Sequence, residues 1–124
     1  MIVLNRRTRV FFCKEPTDMR LGFDGLFSRA KDQIQEDPFS GHLFVFMNRR
    51  RSTCKALIYD GTGLVIISKR LEKGLFSAIN PHLPGKIVLT QAEFNLFLEG
   101  ADLNKRFIES PRDPRQGASG IEQI

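Results

Sequence analysis

The sequence predicts one α+β domain, in which an antiparallel meander sheet of four or five strands packs against two helices. Three apolar runs follow one another between residues 42 and 73, and only short polar turns separate them. Short turns join strands that are antiparallel neighbours. Two other segments carry apolar residues at helical spacing. A length of 124 residues with 41% hydrophobic content suits one domain with its own core.

The first strand is expected in the run "TRVFFC", residues 8–13, which Pro16 ends. Thr17 or Asp18 can then cap a helix by accepting from the free N–H groups of its first turn. The apolar stripe of this helix consists of Phe23, Leu26, Phe27, Ala30 and Ile34. The turn residues of "EDPFSG" predict where the helix ends.

The three central strands are expected at residues 43–47, 53–59 and 64–71, and "KIVL" predicts a short further strand. Many of these positions are apolar on both faces, which predicts a sheet covered on both sides by helices or by a partner chain. Thr90 and Glu93 form an S/T-x-x-E capping box, which predicts the start of the second helix.

The composition assigns residues 1–108 to the globular domain and residues 109–124 to a disordered tail, which is rich in proline, glycine, serine and charge. No apolar run approaches the roughly 20 residues of a membrane span, and no signal peptide is predicted. A cytoplasmic protein is therefore expected, associated with the nucleoid if it binds DNA. Cys13 and Cys54 are expected to be buried free thiols, and no pattern of metal ligands occurs.

A cluster of basic residues lies at one end of the predicted meander. The segment from His42 to Lys73 holds seven cationic and two acidic side chains, an excess equal to the formal net charge of the whole chain, +5. The meander pairs Cys54 with Lys69 and Thr53 with Arg70, which returns the third strand to the arginine-rich turn. The candidate binding residues are Arg49, Arg50, Arg51, Lys55, Lys69 and Arg70.

Such an excess of positive charge predicts an anionic partner. The turn can contact DNA phosphates, contact an acidic protein, or simply be solvated. All three of its arginines are expected to be exposed. Arg20 is expected to pair with a neighbouring aspartate instead of binding a ligand.

Five sequence blocks in order carry a family resemblance: "TDMRLGFDGL", "DPFSGHLFVF", "DGTG", "KRLEKGLF" and "LTQAEFNLFLEGAD". Together they resemble the TnpB-type accessory proteins of bacterial insertion sequences of the sixty-six family, over about residues 8–103. The resemblance implies a role in DNA transposition beside a separate transposase. It implies no established active site. The tryptophans that such proteins carry near two of these blocks are absent, which leaves Tyr59 and Phe76 as the aromatic residues there.

The expected function is therefore that of a non-catalytic accessory protein that binds DNA through the basic end of its hairpin. The alternative is an adaptor that binds the transposase without contacting DNA. No cofactor, metal ion or membrane is expected as a ligand or partner. The sequence is compatible with a homo-oligomer. Asp24, Asp60 and Asp102 have plainer roles at helix ends and turns, and their spacing does not predict the converging carboxylates of a metal-dependent nuclease.

Overall fold

The structure is a computed structural model that describes residues 4–103. Strand β1 is Val10–Phe12, helix α1 is Phe23–Arg29, and a π-helical turn, Ala30–Ile34, continues α1. Strands β2, β3 and β4 are Leu43–Met47, Thr53–Tyr59 and Leu64–Arg70. Strand β5 is Ile87–Leu89 and helix α2 is Gln91–Leu98. No helix among these residues is long and apolar enough to cross a membrane.

The sheet has five strands in the order β4-β3-β2-β1-β5. The predicted meander is confirmed for β2, β3 and β4, which pair antiparallel in sequence. A purely antiparallel sheet was wrong, because β1 pairs with β2 in parallel, with Val10 beside Leu43. Helix α1 lies in the crossover between them and returns the chain to the end where β1 begins, as a parallel pair requires. Strand β5 then pairs antiparallel with the other side of β1.

The register at the basic end is the one that the sequence predicted. Cys54 lies opposite Lys69, and Thr53 lies opposite Arg70. Strand β4 ends at Arg70, one residue earlier than expected, although the N–H of Leu71 still donates to the carbonyl of Ser52 at 3.0 Å. The basic residues of β4 therefore do return to the turn that joins β2 and β3.

Both faces of the inner strands are buried, as the doubly apolar runs predicted. One face packs against α1 through Phe11, Phe44, Phe46 and Leu57. The opposite face packs against α2 and the segment before β5, where Phe76 and Phe97 stack with ring centroids 4.9 Å apart.

Helix α1 is shorter than the sequence predicted, and its apolar stripe is narrower. Leu26, Ala30 and Ile34 are buried, whereas Phe23 is 51% exposed and Phe27 is half-buried. The buried residues recur at every fourth position, because only one narrow face of the helix and its π-helical continuation contacts the sheet. The predicted helix cap was also wrong, because the helix begins only at Phe23, after Gly22, and no side chain caps it.

Residues 17 and 18 belong instead to the loop before α1. The N–H of Thr17 donates to the carbonyl of Met47 at 2.9 Å, which extends the pairing of the sheet beyond β1.

The predicted start of α2 is confirmed. The hydroxyl of Thr90 accepts from the N–H of Glu93 at 3.0 Å, and the Glu93 carboxylate accepts from the N–H of Thr90 at 2.8 Å. The two bonds satisfy donors that the first turn of a helix leaves without partners. The tail that was predicted at residues 109–124 lies outside the described residues.

Candidate nucleic-acid interface

The turn between β2 and β3 is held together by Asn48. Its side-chain oxygen accepts from the N–H groups of Ser52 and Thr53 at 2.9 and 3.2 Å, and its carbonyl accepts from the N–H of Arg51 at 3.0 Å. These bonds fix the backbone through local contacts. The side chains of Arg49 and Arg50 are left exposed and form no hydrogen bond or ion pair within residues 4–103.

Arg51 differs from its two neighbours, and the expectation that all three arginines are exposed was wrong for this residue. It is half-buried, and its backbone is left-handed, with a φ of 61°. Its Nη1 donates to the carbonyl of Phe76 at 3.1 Å, and its own carbonyl accepts from the N–H of Phe76 at 2.8 Å. Arg51 therefore joins the turn to a fully buried residue of the core.

Lys69 and Arg70 lie at the same end of the sheet but point to opposite faces, because successive side chains of a strand alternate. Lys69 is exposed and forms no ion pair within the described part of the chain. Arg70 lies 3.3 Å from the carboxylate of Glu72, and both side chains are more than 70% exposed. Such an exposed pair contributes little free energy and opens easily.

Lys55 is placed apart from the other candidates. It is half-buried, and its Nζ donates to the carbonyl of Leu21 at 2.8 Å, on the face that carries α1. The predicted pairing of Arg20 is confirmed, with Nη2 2.7 Å from Asp18. Hydrogen bonds from Arg20 lower the pKa of Asp18 to about 2, and the charge of Lys55 adds a smaller effect.

A cleft of about 520 Å³ opens beside the arginine turn, at the carboxyl ends of β1 and β2. Its basic side chains are those of Lys14, Arg49, Arg51 and His82, and Glu15 is its single carboxylate. Lys14 is held in place because its Nζ donates to the carbonyl of Leu83 at 2.5 Å.

The contributions of Lys14 and His82 to this cleft do not follow from the sequence pattern. Only the parallel pairing of β1 with β2 places Lys14 beside the turn that follows β2. A β-α-β crossover recognised in the sequence would have predicted that Lys14 lies beside this turn.

The two cysteines are free and buried, as predicted. Burial raises the pKa of the Cys54 thiol to about 11 and also raises that of Cys13. Both thiols are therefore protonated and unreactive near neutral pH. Within residues 4–103, no three His, Cys, Asp or Glu side chains come together to hold a metal ion.

The aromatic residues near the two places where the resemblance implies tryptophan have different environments. Phe76 is fully buried and cannot stack on a ligand. Tyr59 packs edge-on against Phe39, with ring centroids 5.1 Å apart, at the end of the sheet opposite the arginine turn. Neither residue contributes to the basic end.

Comparisons with known proteins agree with the resemblance seen in the sequence. The family model described as IS66 Orf2 like protein matches residues 8–107. The chain is 31% identical over 102 residues to the uncharacterized protein y4jC of Sinorhizobium fredii, which covers 82% of this chain and 86% of that protein. It is 34% identical over 103 residues to the uncharacterized protein y4hO of the same organism, covering 82% and 88%. No solved structure matches the chain significantly.

Proposed function

Because the chain belongs to the IS66 Orf2-like family of transposition accessory proteins, we propose that it assists transposition by binding DNA through the basic end of its sheet. The family is not known to be catalytic. The proposed contact is made with phosphates by Arg49, Arg50 and Lys69, with Arg70 available once its exposed pair with Glu72 opens.

One observation carries this proposal. Arg49, Arg50 and Lys69 are exposed at one end of the sheet, and none of them has an acidic partner within residues 4–103. Like charges held close together repel each other, and an incoming polyanion removes that cost. Phosphate contacts need only long, positively charged side chains, which these three residues have. Recognition of base edges needs a defined geometry in a DNA groove, which a single turn does not provide.

The second candidate function is that of an adaptor for the transposase, and a different observation favours it. Strand β4 lies at the edge of the sheet, and its central residue, Ile67, is 46% exposed. An edge strand presents unpaired backbone groups to which another protein can add a strand. The same cations would then contact an acidic surface of that protein.

Binding to duplex DNA across a salt series tests the proposal. The variant Arg49→Ala/Arg50→Ala/Lys69→Ala removes the three unpaired cations. Each phosphate contact contributes about 0.9 to the slope of log affinity against log salt, so the slope should fall by about 2–3 units. The matched control is Arg6→Ala/Arg7→Ala/Lys31→Ala, which removes the same charge from exposed residues away from the arginine turn.

Fluorescence anisotropy measures the slopes, and circular dichroism confirms that both variants are folded. Equal slopes in the two variants would show that net charge alone, and not the basic end, binds DNA. If the wild type binds no DNA at low salt but captures the transposase, and the first variant loses that capture, the adaptor function replaces DNA binding.

A further inference from the structure

We propose that the cleft beside Arg49 binds one unpaired nucleotide at a DNA end, with its phosphate against the cations and its base against the apolar wall. The inference rests on the proposed DNA binding and adds a preference for ends with an unpaired nucleotide. The exposed side of the turn can contact any DNA phosphate, whereas the cleft would bind only an unpaired nucleotide.

The charges of the cleft favour a phosphate group. Lys14, Arg49 and Arg51 contribute three cations against the one carboxylate of Glu15. Lys14 and Arg51 are each held by a backbone carbonyl, that of Leu83 and that of Phe76. An ammonium has three donors and a guanidinium has five, so both retain N–H groups for a ligand. Donors that are already fixed lose less conformational entropy on binding.

The shape of the cleft favours a single nucleotide over a double helix. A volume of about 520 Å³ lies within the range of sites for small molecules and cofactors. A duplex cannot enter a cleft of this size, since its major groove alone is about 12 Å wide. An unpaired nucleotide at an end can leave the stack and enter.

The remaining lining suits a base. Met47, Ile79 and Pro81 give the cleft an apolar wall beside its cations. Every base has an apolar face, so contact with such a wall tolerates any sequence. A free phosphate would leave this wall unused, which is why the inference specifies a nucleotide. The exposed side chain of His82 lines the same cleft.

The two exposed arginines of the turn provide the decisive comparison. Both have the same charge, but only Arg49 lines the cleft. The probes are a blunt duplex and the same duplex with a short single-stranded overhang, tested with each strand polarity. The wild type should bind one overhang duplex about fivefold more tightly, the ratio that about 1 kcal/mol of additional contact gives.

Arg49→Ala should remove this preference. Arg50→Ala should weaken binding to both probes and leave their ratio unchanged. His82→Glu puts a carboxylate in the cleft without removing a side-chain hydrogen bond given by the structure, and it should also abolish the preference. Thermal melts confirm that all three variants are folded.

Three results would overturn the inference in different ways. Equal affinity of the wild type for blunt and overhang duplexes excludes the nucleotide site and leaves DNA binding intact. No binding to either probe excludes both. If an acidic peptide from the transposase binds the wild type and Arg49→Ala abolishes that binding while the overhang has no effect, the cleft is a protein site.

Discussion

Replacing Arg51 by alanine should destabilise the fold, although its neighbours Arg49 and Arg50 can be replaced with little effect. The Arg51 guanidinium donates to the carbonyl of Phe76 at 3.1 Å. A hydrogen bond from a charged group contributes about 1.5–3 kcal/mol. Because the residue is half-buried, we expect a loss of about 1.5 kcal/mol, at the lower end of that range.

The left-handed backbone of Arg51 makes the prediction sharper. A φ of 61° strains any residue with a Cβ by about 1 kcal/mol. Arg51→Gly loses the same hydrogen bond but removes this strain. The glycine variant should therefore be more stable than the alanine variant by about 1 kcal/mol, the reverse of the usual order.

Thermal unfolding of the two variants and of Arg50→Ala measures this series. For a domain of this size, 1 kcal/mol corresponds to about 4–8 °C in Tm. We expect Arg51→Ala to melt about 6–12 °C below the wild type, Arg51→Gly to melt between them, and Arg50→Ala to melt with the wild type. If Arg51→Ala has the wild-type Tm, the bond to Phe76 contributes nothing. If glycine is the less stable variant, the left-handed backbone is not strained.

Two further predictions concern the core. Leu26→Ala should lower the free energy of unfolding in urea by about 3–5 kcal/mol, because Leu26 is fully buried against the sheet. Phe23→Ala, at a half-exposed position of the same helix, should lower it by less than about 1 kcal/mol. Equal losses in the two variants would contradict the described buried face of α1. Burial raises the pKa of Cys54 from 9.0 to about 11, so the unfolded chain loses this proton first and stability should fall as pH rises from 9 to 11. Cys54→Val should flatten this part of the profile of unfolding free energy against pH, and an unaltered slope would exclude the thiol as its source.

The sequence predicted the parts of the fold that short-range signals specify. The strands from Leu43 to Arg70 follow from apolar runs and two short turns, and their register follows from the turn lengths. The start of α2 follows from the side chains of Thr90 and Glu93 alone. In each case the interacting residues are close in sequence, so the pattern contains the whole interaction.

The position of β1 in the sheet, by contrast, is not determined by interactions between residues close in sequence. The pairing of Val10 with Leu43 depends on how α1 packs across the sheet, and the apolar run of β1 is the same for either pairing. The cleft follows from that pairing. Its wall combines Lys14, Arg49 and His82 from three separate segments, and no local pattern links them. The role of Arg51 was also hidden, because its partner Phe76 is distant in sequence.

The position of β1 in the sheet has a consequence for how the chain is synthesised. Val10 pairs on one side with Leu43 and on the other with Leu89. Of the five strands in residues 4–103, the first to be synthesised is thus completed by the last. Loop closure over so long a stretch is slow, whereas the β2–β4 hairpins close over short ones. Until β5 has been synthesised, one edge of β1 therefore remains unpaired, and unpaired strand edges make partly folded chains prone to aggregation.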